Sequence, residues 1–147
     1  MIQTTSSDIN RGLMAMGGPG YYLELVFCGT LGTLYFEWVS PGSSNGSGCR
    51  GKVLNDNNWH TVLVTYDGTT LTLYEDGISQ STTTPSPTIN TIGNNNNYVG
   101  KAISYDNFIG SLKNVMYYDY VITMSYALAN SYQAAGVVIY NTGKYCH

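Results

Sequence analysis

Asn55-Asp56-Asn57-Asn58-Trp59-His60-Thr61-Val62-Leu63-Val64-Thr65-Tyr66-Asp67-Gly68-Thr69-Thr70-Leu71-Thr72-Leu73-Tyr74-Glu75-Asp76-Gly77 reads as a polar turn followed by two strands, each ended by Asp-Gly. Asp-Gly between alternating apolar runs is a strong hairpin signal, because both residues tolerate the backbone angles that reversing a twisted strand demands. Val62, Val64 and Tyr66 fall on one face and Thr61, Leu63 and Thr65 on the other, so only the first is clearly a core face. Leu71 and Leu73 alternate with threonines in the next strand. The pattern predicts a half-buried antiparallel meander on which the rest of the chain packs.

Upstream, Tyr21 to Phe27 and Leu34 to Val39 form a second hairpin around Cys28-Gly29-Thr30-Leu31-Gly32. Their large apolar residues are Tyr21, Leu23, Leu25 and Phe27 on one strand and Leu34, Phe36 and Trp38 on the other. Placing both sets on one face pairs Leu25 with Phe36 and Leu23 with Trp38. That register sets Glu24 opposite Glu37, with Tyr22 and Tyr35 on the same face. Like charges directly opposite cost up to about 1 kcal/mol, so a cation, a basic neighbour or a raised pKa has to compensate.

Before this hairpin, Ile2 to Thr5 reads as a short strand, followed by a Gly/Met-rich connection ending Gly17-Gly18-Pro19-Gly20. Ser40 to Lys52 reads as a mobile loop by composition and contains the sequon Asn45-Gly46-Ser47. After the meander come a short strand from Ile78, a Thr/Pro/Ser crossing over Ser81 to Ile89, the turn Asn94 to Asn97, and a strand from Phe108 to Tyr118. Thr123 caps a helix over Met124 to Ala134, which Gly136 stops.

At 147 residues the chain has room for one domain with a real core. Only 10% of residues are charged and the formal net charge is -3, which argues against a nucleic-acid footprint. No apolar run approaches the ~20 residues of a membrane-spanning helix, so membrane insertion is not expected. Met1-Ile-Gln-Thr-Thr-Ser-Ser has neither a basic nor an apolar leader region, so no signal peptide is expected within this chain. Cys28, Cys49 and Cys146 lack metal-ligand spacing. Cys28 sits at a turn and Cys49 beyond the far end of the following strand, so these two are not expected to bond; a bond from Cys146 to either, or three free thiols, are the alternatives.

The run Trp59-His60, then Val62-x-Val64-x-Tyr66-Asp67-Gly68, then Leu71-x-Leu73-Tyr74-x-Asp76-Gly77, resembles the laminin-G-like branch of the concanavalin A-like lectin/glucanase superfamily. Gly20 to Leu25, Gly32 to Val39, Ile92-Gly93, Phe108 to Val115 and Tyr118 to Thr123 are similar to further strands of that family in the right order. The likeness runs over residues 15 to 133. It implies an all-β, antiparallel jelly-roll β-sandwich with one short C-terminal helix, whose domain spans 1–136 and lacks the family's first strands. The tail 137–147, with Val137-Val138-Ile139-Tyr140, or a partner chain, would then complete the sheet.

What the resemblance implies for function is a non-catalytic carbohydrate-binding or adhesion module on an extracellular, cell or virion surface, its partner a glycan. The competing reading is a structural subunit of a virion surface, fibre or extracellular filament, its partner a neighbouring protein subunit. Low charge and abundant Asn and Tyr favour it. Candidate ligand-binding residues are Glu24, Glu37, Tyr22, Tyr35, Tyr105 and Asn107, since a tyrosine ring offers an apolar face and a polar tip to a sugar. Catalysis is the weakest reading. Cross-strand glutamates stand near the ~5–5.5 Å of a retaining glycosidase, but the Glu-x-Asp-x-Glu run of the superfamily's glucanases is missing. A solvated outer-face pair is the plain alternative. Relatives often hold calcium at the sandwich rim, which makes Asp56, Asp106 and Asp119 candidate ligands, although each also suits a turn. His60, without a second ligand in sequence, reads as a hydrogen-bonded structural histidine.

Overall fold

The computed structural model describes residues 1–8, 10–18, 20–29, 31–85, 96–118 and 137–140. These form β1 (Ile2–Gln3), β2 (Arg11–Gly18), β3 (Tyr21–Cys28), β4 (Thr33–Ser40), β5 (Ser43–Gly46), β6 (Val62–Tyr66) and β7 (Leu71–Glu75). They continue with β8 (Ile78–Thr83), β9 (Asn96–Val99), β10 (Asp106–Asn107), β11 (Ser111–Leu112), β12 (Val115–Tyr118) and β13 (Val137–Tyr140). No helix occurs among the described residues, and the expected helix over 124–134 lies outside them.

Two sheets face one another. One has the order β10-β2-β3-β4-β5, with β9 also on β2; the other runs β12-β13-β6-β7-β8. Leu23, Leu25, Phe27, Leu34, Phe36 and Trp38 of the first share one buried cluster with Val62, Val64, Tyr66, Leu71 and Leu73 of the second. Apolar side chains from two inner faces meeting in one core make a β-sandwich. The chain is thus all-β and mainly antiparallel. β10 on β2, and β13 between β12 and β6, are parallel exceptions.

The central meander has the expected hairpins. Glu75 pairs with Ile78 around Asp76-Gly77, both at positive φ, the signature of a two-residue type I′ turn. The Asp67-Gly68 reversal is longer, joining Tyr66 to Leu71. There Asp67 Oδ1 accepts the backbone N–H groups of Thr69 and Thr70. Leu63 and Thr65 are buried as well as Val62, Val64 and Tyr66. β6 is an inner strand, with β13 on one side and β7 on the other.

Two segments read as connections are strands. Arg11–Gly18 lies beside β3, with Met14 on Leu25 and Met16 on Leu23. A register shift between Gly12 and Met14 turns both Leu13 and Met14 into the core, which breaks the alternation that betrays a strand. Ser43–Gly46 pairs back along β4, Gly46 opposite Glu37, despite its loop-like composition.

That return corrects the cysteine expectation. Past β5 the chain keeps running beside β4: Ser47 N–H reaches the Phe36 carbonyl, and Arg50 bridges Leu34. Cys49 is thereby carried back to the end of β3, where it bonds Cys28 with the Cα atoms 6.0 Å apart. Cys146 lies outside the described residues.

Candidate functional site

The Leu25–Phe36 and Leu23–Trp38 register places Glu24 against Glu37, as two opposed apolar strands require. Along the same row Ala15 pairs with both Glu24 and Tyr98, and Glu37 pairs with Gly46. Cross-strand partners point to one face, so Tyr22, Glu24, Tyr35 and Glu37 share the side of this sheet that faces away from the core.

That face is not solvated around the pair, contrary to the plain expectation. Glu24 is 0% and Glu37 7% exposed. The cover is the segment 100–105 between β9 and β10, two strands that follow one another along the same edge of β2. Glycine at position 12 lets Ala102 lie directly on the strand, where a Cβ would collide with it. From there the Ile103 and Ser104 N–H groups both donate to Glu24 Oε1, Ser104 at 2.9 Å. Tyr22 and Ser104 share a hydroxyl hydrogen bond of 2.6 Å. Ser44 on β5 donates to Glu37 Oε1 at 2.8 Å. Tyr35 folds over Gly46, whose missing side chain makes the room. The second oxygens, Glu24 Oε2 and Glu37 Oε2, are buried without a hydrogen-bond partner.

The electrostatics follow from this burial. Desolvation raises the Glu24 pKa; the two N–H donors oppose the rise and the Glu37 charge adds to it. Burial and the charges of Glu37 and Glu24 push the Tyr35 phenol up to about 12. Tyr105 is raised for the same reasons, burial first and the Glu37 charge second. Burial also raises Tyr22, against the pull of its Ser104 bond. Every resolved shift in this group is upward, and no cation is among the causes.

Of the residues singled out from sequence, the structure gathers Glu24, Glu37, Tyr22, Tyr35 and Tyr105. Asn107 stands on β10 opposite Gly12, exposed and two strands from Glu24. The three aspartates offered to calcium are not assembled into a site among the described residues. Asp56 accepts from His60 and from the backbone and side chain of Asn58. Asp106 pairs with Arg11 at 3.4 Å. Asp119 lies outside the described residues, among which no group of three or more His, Cys, Asp or Glu is placed to hold a metal ion.

His60 is held at both ring nitrogens, Nδ1 by Asp76 at 2.9 Å and Nε2 by Asp56 at 2.8 Å. Burial pulls its pKa down, but the two carboxylates outweigh it and the net shift is upward. Asp76 also takes Lys52 Nζ at 2.9 Å and the Thr61 N–H at 3.0 Å, which lowers its own pKa against burial. A raised histidine pKa stabilises the fold fully below the unfolded value, near 6.5, and that contribution fades as pH rises through the folded value. His60→Ala should therefore cost about 1 kcal/mol in urea unfolding at pH 5.5 and distinctly less at pH 9. An equal loss at both pH values would mean the ring acts by packing alone.

Sequence reading missed Glu75, a fully buried carboxyl group beside this cluster. The signal was present: Leu71, Leu73 and Glu75 share one phase of a strand whose burial alternates. Its Oε2 accepts the Lys52 N–H at 2.6 Å. Burial lifts its pKa to about 7, with the Lys52 N–H opposing and the Asp76 charge adding.

A family model described as the Concanavalin A-like lectin/glucanases superfamily matches residues 2–126. Among solved structures, an S-layer domain-containing protein (residues 221–444) from Clostridium thermocellum ATCC 27405 is similar at 18% identity with a TM-score of 0.42. The alignment covers 82% of this chain and 62% of that one, so the chain spans less than two thirds of its length. No curated protein matches.

Proposed function

Because the chain belongs to the concanavalin A-like lectin/glucanases superfamily, over residues 2–126, we propose that it is a lectin-like module that binds glycan without cleaving it, through the face carrying Glu24, Glu37, Tyr22, Tyr35 and Tyr105. The supporting observation is the pair of buried carboxyl groups, each with an oxygen lacking a hydrogen-bond partner, set among three half-buried tyrosines. Sugars are recognised by that combination: carboxylates accept from hydroxyl pairs and aromatic rings cover the apolar faces of the pyranose. The Glu-x-Asp-x-Glu run of the superfamily's glucanases is missing from the sequence, which supports binding over hydrolysis. The Cys28–Cys49 bond supports a location outside the reducing cytosol. Residues 1–136 serve as the binding domain, and the tail 137–147 completes its second sheet through β13.

A second reading, a subunit of a surface assembly, is supported by β8. Among the described residues it is an edge strand, Ile78–Thr83, without a charged residue, and Ile78 is 60% exposed. Unpaired, uncharged edges are templates for pairing with another chain.

A glycan array with the chain and its Glu37→Gln variant separates the two. The lectin reading expects binding that the variant weakens at least about tenfold, the loss of roughly 1.4 kcal/mol. Absence of binding together with concentration-dependent self-association would favour assembly.

A further inference from the structure

The carboxyl pair carries more than a general affinity for sugars. Glu24 and Glu37 are cross-strand partners buried to 0% and 7%, and the polar groups reaching them are two backbone N–H groups and hydroxyls. Among the described residues no salt bridge involves either of them. The lysine of the covering segment, Lys101, is instead turned over the Tyr98 ring at 4.9 Å. Two acids taken out of water beside one another, with only hydroxyl and backbone N–H donors about them, are strongly destabilised while both are ionised. One way to relieve them is a proton on Glu24. A cation supplied from outside at Glu37, the less completely buried of the two, is the other.

Resting on the glycan-binding reading, we propose that the ligand is an amino sugar carrying a free ammonium group, which sits at Glu37 between Tyr22, Tyr35 and Tyr105. A compact ammonium has several N–H donors to offer the Glu37 carboxyl group, and tyrosine rings add cation–π attraction. The entry side is the rim where Ser44 and Ser104 are exposed and the three tyrosines half-buried. An N-acetylated sugar offers one neutral N–H in place of the charge, and a uronic acid brings a further negative charge up to an acidic pair. The site therefore selects cationic over neutral over acidic glycans.

Titration calorimetry of the whole chain with a deacetylated chito-oligosaccharide, its fully N-acetylated counterpart and an oligouronate tests this. It is run at pH about 6, below the range of an α-amino group. Binding of the deacetylated form at least about tenfold tighter than the acetylated one is the expected result. Glu37→Gln should abolish the preference. Ser44→Lys is the second variant: position 44 is exposed on an edge strand, and its hydroxyl already lies 2.8 Å from Glu37 Oε1. A lysine there supplies the missing cation internally, so it should remove ammonium binding while leaving the fold intact. Equal binding of acetylated and deacetylated forms, or preference for the uronate, overturns the inference and leaves the glycan reading standing. Failure to bind any of the three, on wild type and variants alike, overturns both.

Discussion

Replacing Cys28 and Cys49 together by serine is expected to lower the unfolding free energy by about 3 kcal/mol. The bond closes a segment of sequence separation 21, and cross-linking a loop of that order removes about that much chain entropy from the unfolded state. In a domain of this size the melting temperature should fall by roughly 6–12 °C. The loss is also local. The returning segment that follows β5 is tied to β4 by the Ser47 and Arg50 backbone bonds and by this bridge, and β5 carries the Ser44 hydroxyl that meets Glu37. Ligand affinity should therefore fall with stability, and wild type under reductant should reproduce both effects. A double variant within about 0.5 kcal/mol of wild type would show that the bridge adds nothing beyond the backbone pairing.

The parts of this architecture legible in the sequence are those where side-chain period and bulk agree. β3 and β4 each carry three large core residues at every second position, so register, and with it the Glu24–Glu37 pairing, follows from the requirement that both sets face one core. Asp76-Gly77 names its own turn. β2 was illegible for the opposite reasons. Its residues Arg11-Gly-Leu-Met-Ala-Met-Gly-Gly are small or flexible, and its bulge puts Leu13 and Met14 on one side. Ser43–Gly46 has turn composition and is a strand because β4 offers it a free edge. The candidate site was half visible. The pair and its tyrosines follow from strand phase, whereas their burial depends on residues 100–105, nearly eighty positions later, whose approach rests on Gly12 having no side chain. Local pattern carries no information about such a contact. The cysteine pairing failed with it, since it required knowing that the loop-like segment turns back.

Glu75→Gln should make the protein more stable at pH 8 by about 2 kcal/mol while leaving it nearly unchanged at pH 4.5. Glu75 ends the row Leu71, Leu73, Glu75 on the buried phase of β7, and Gly51, at φ +103°, brings backbone without a side chain up to its carboxyl group. The groups facing it are the Lys52 N–H, the Asp76 carboxylate, and the charges of Lys52 and His60. Burial dominates and lifts its pKa from 4.5 to about 7. The folded state then holds a proton that the unfolded state has released between those two values, so stability falls as pH rises across that window and levels off above it. The full shift corresponds to about 3.4 kcal/mol, reduced to about 2 by solvent screening at the exposed Gly51 and Lys52. His60, also raised, loses its contribution as pH climbs past 6.5, in the same direction. Asp56 and Asp76, both lowered, act the other way and withdraw support only as pH falls below 3.8. Wild-type stability should accordingly peak on the acid side of neutrality, and the amide, which cannot ionise, should flatten the decline that follows. Urea unfolding of both proteins at pH 4.5, 6 and 8 reads this directly; two parallel profiles would mean that the Glu75 carboxyl group titrates as an ordinary surface acid and that the cluster around Asp76 already neutralises it.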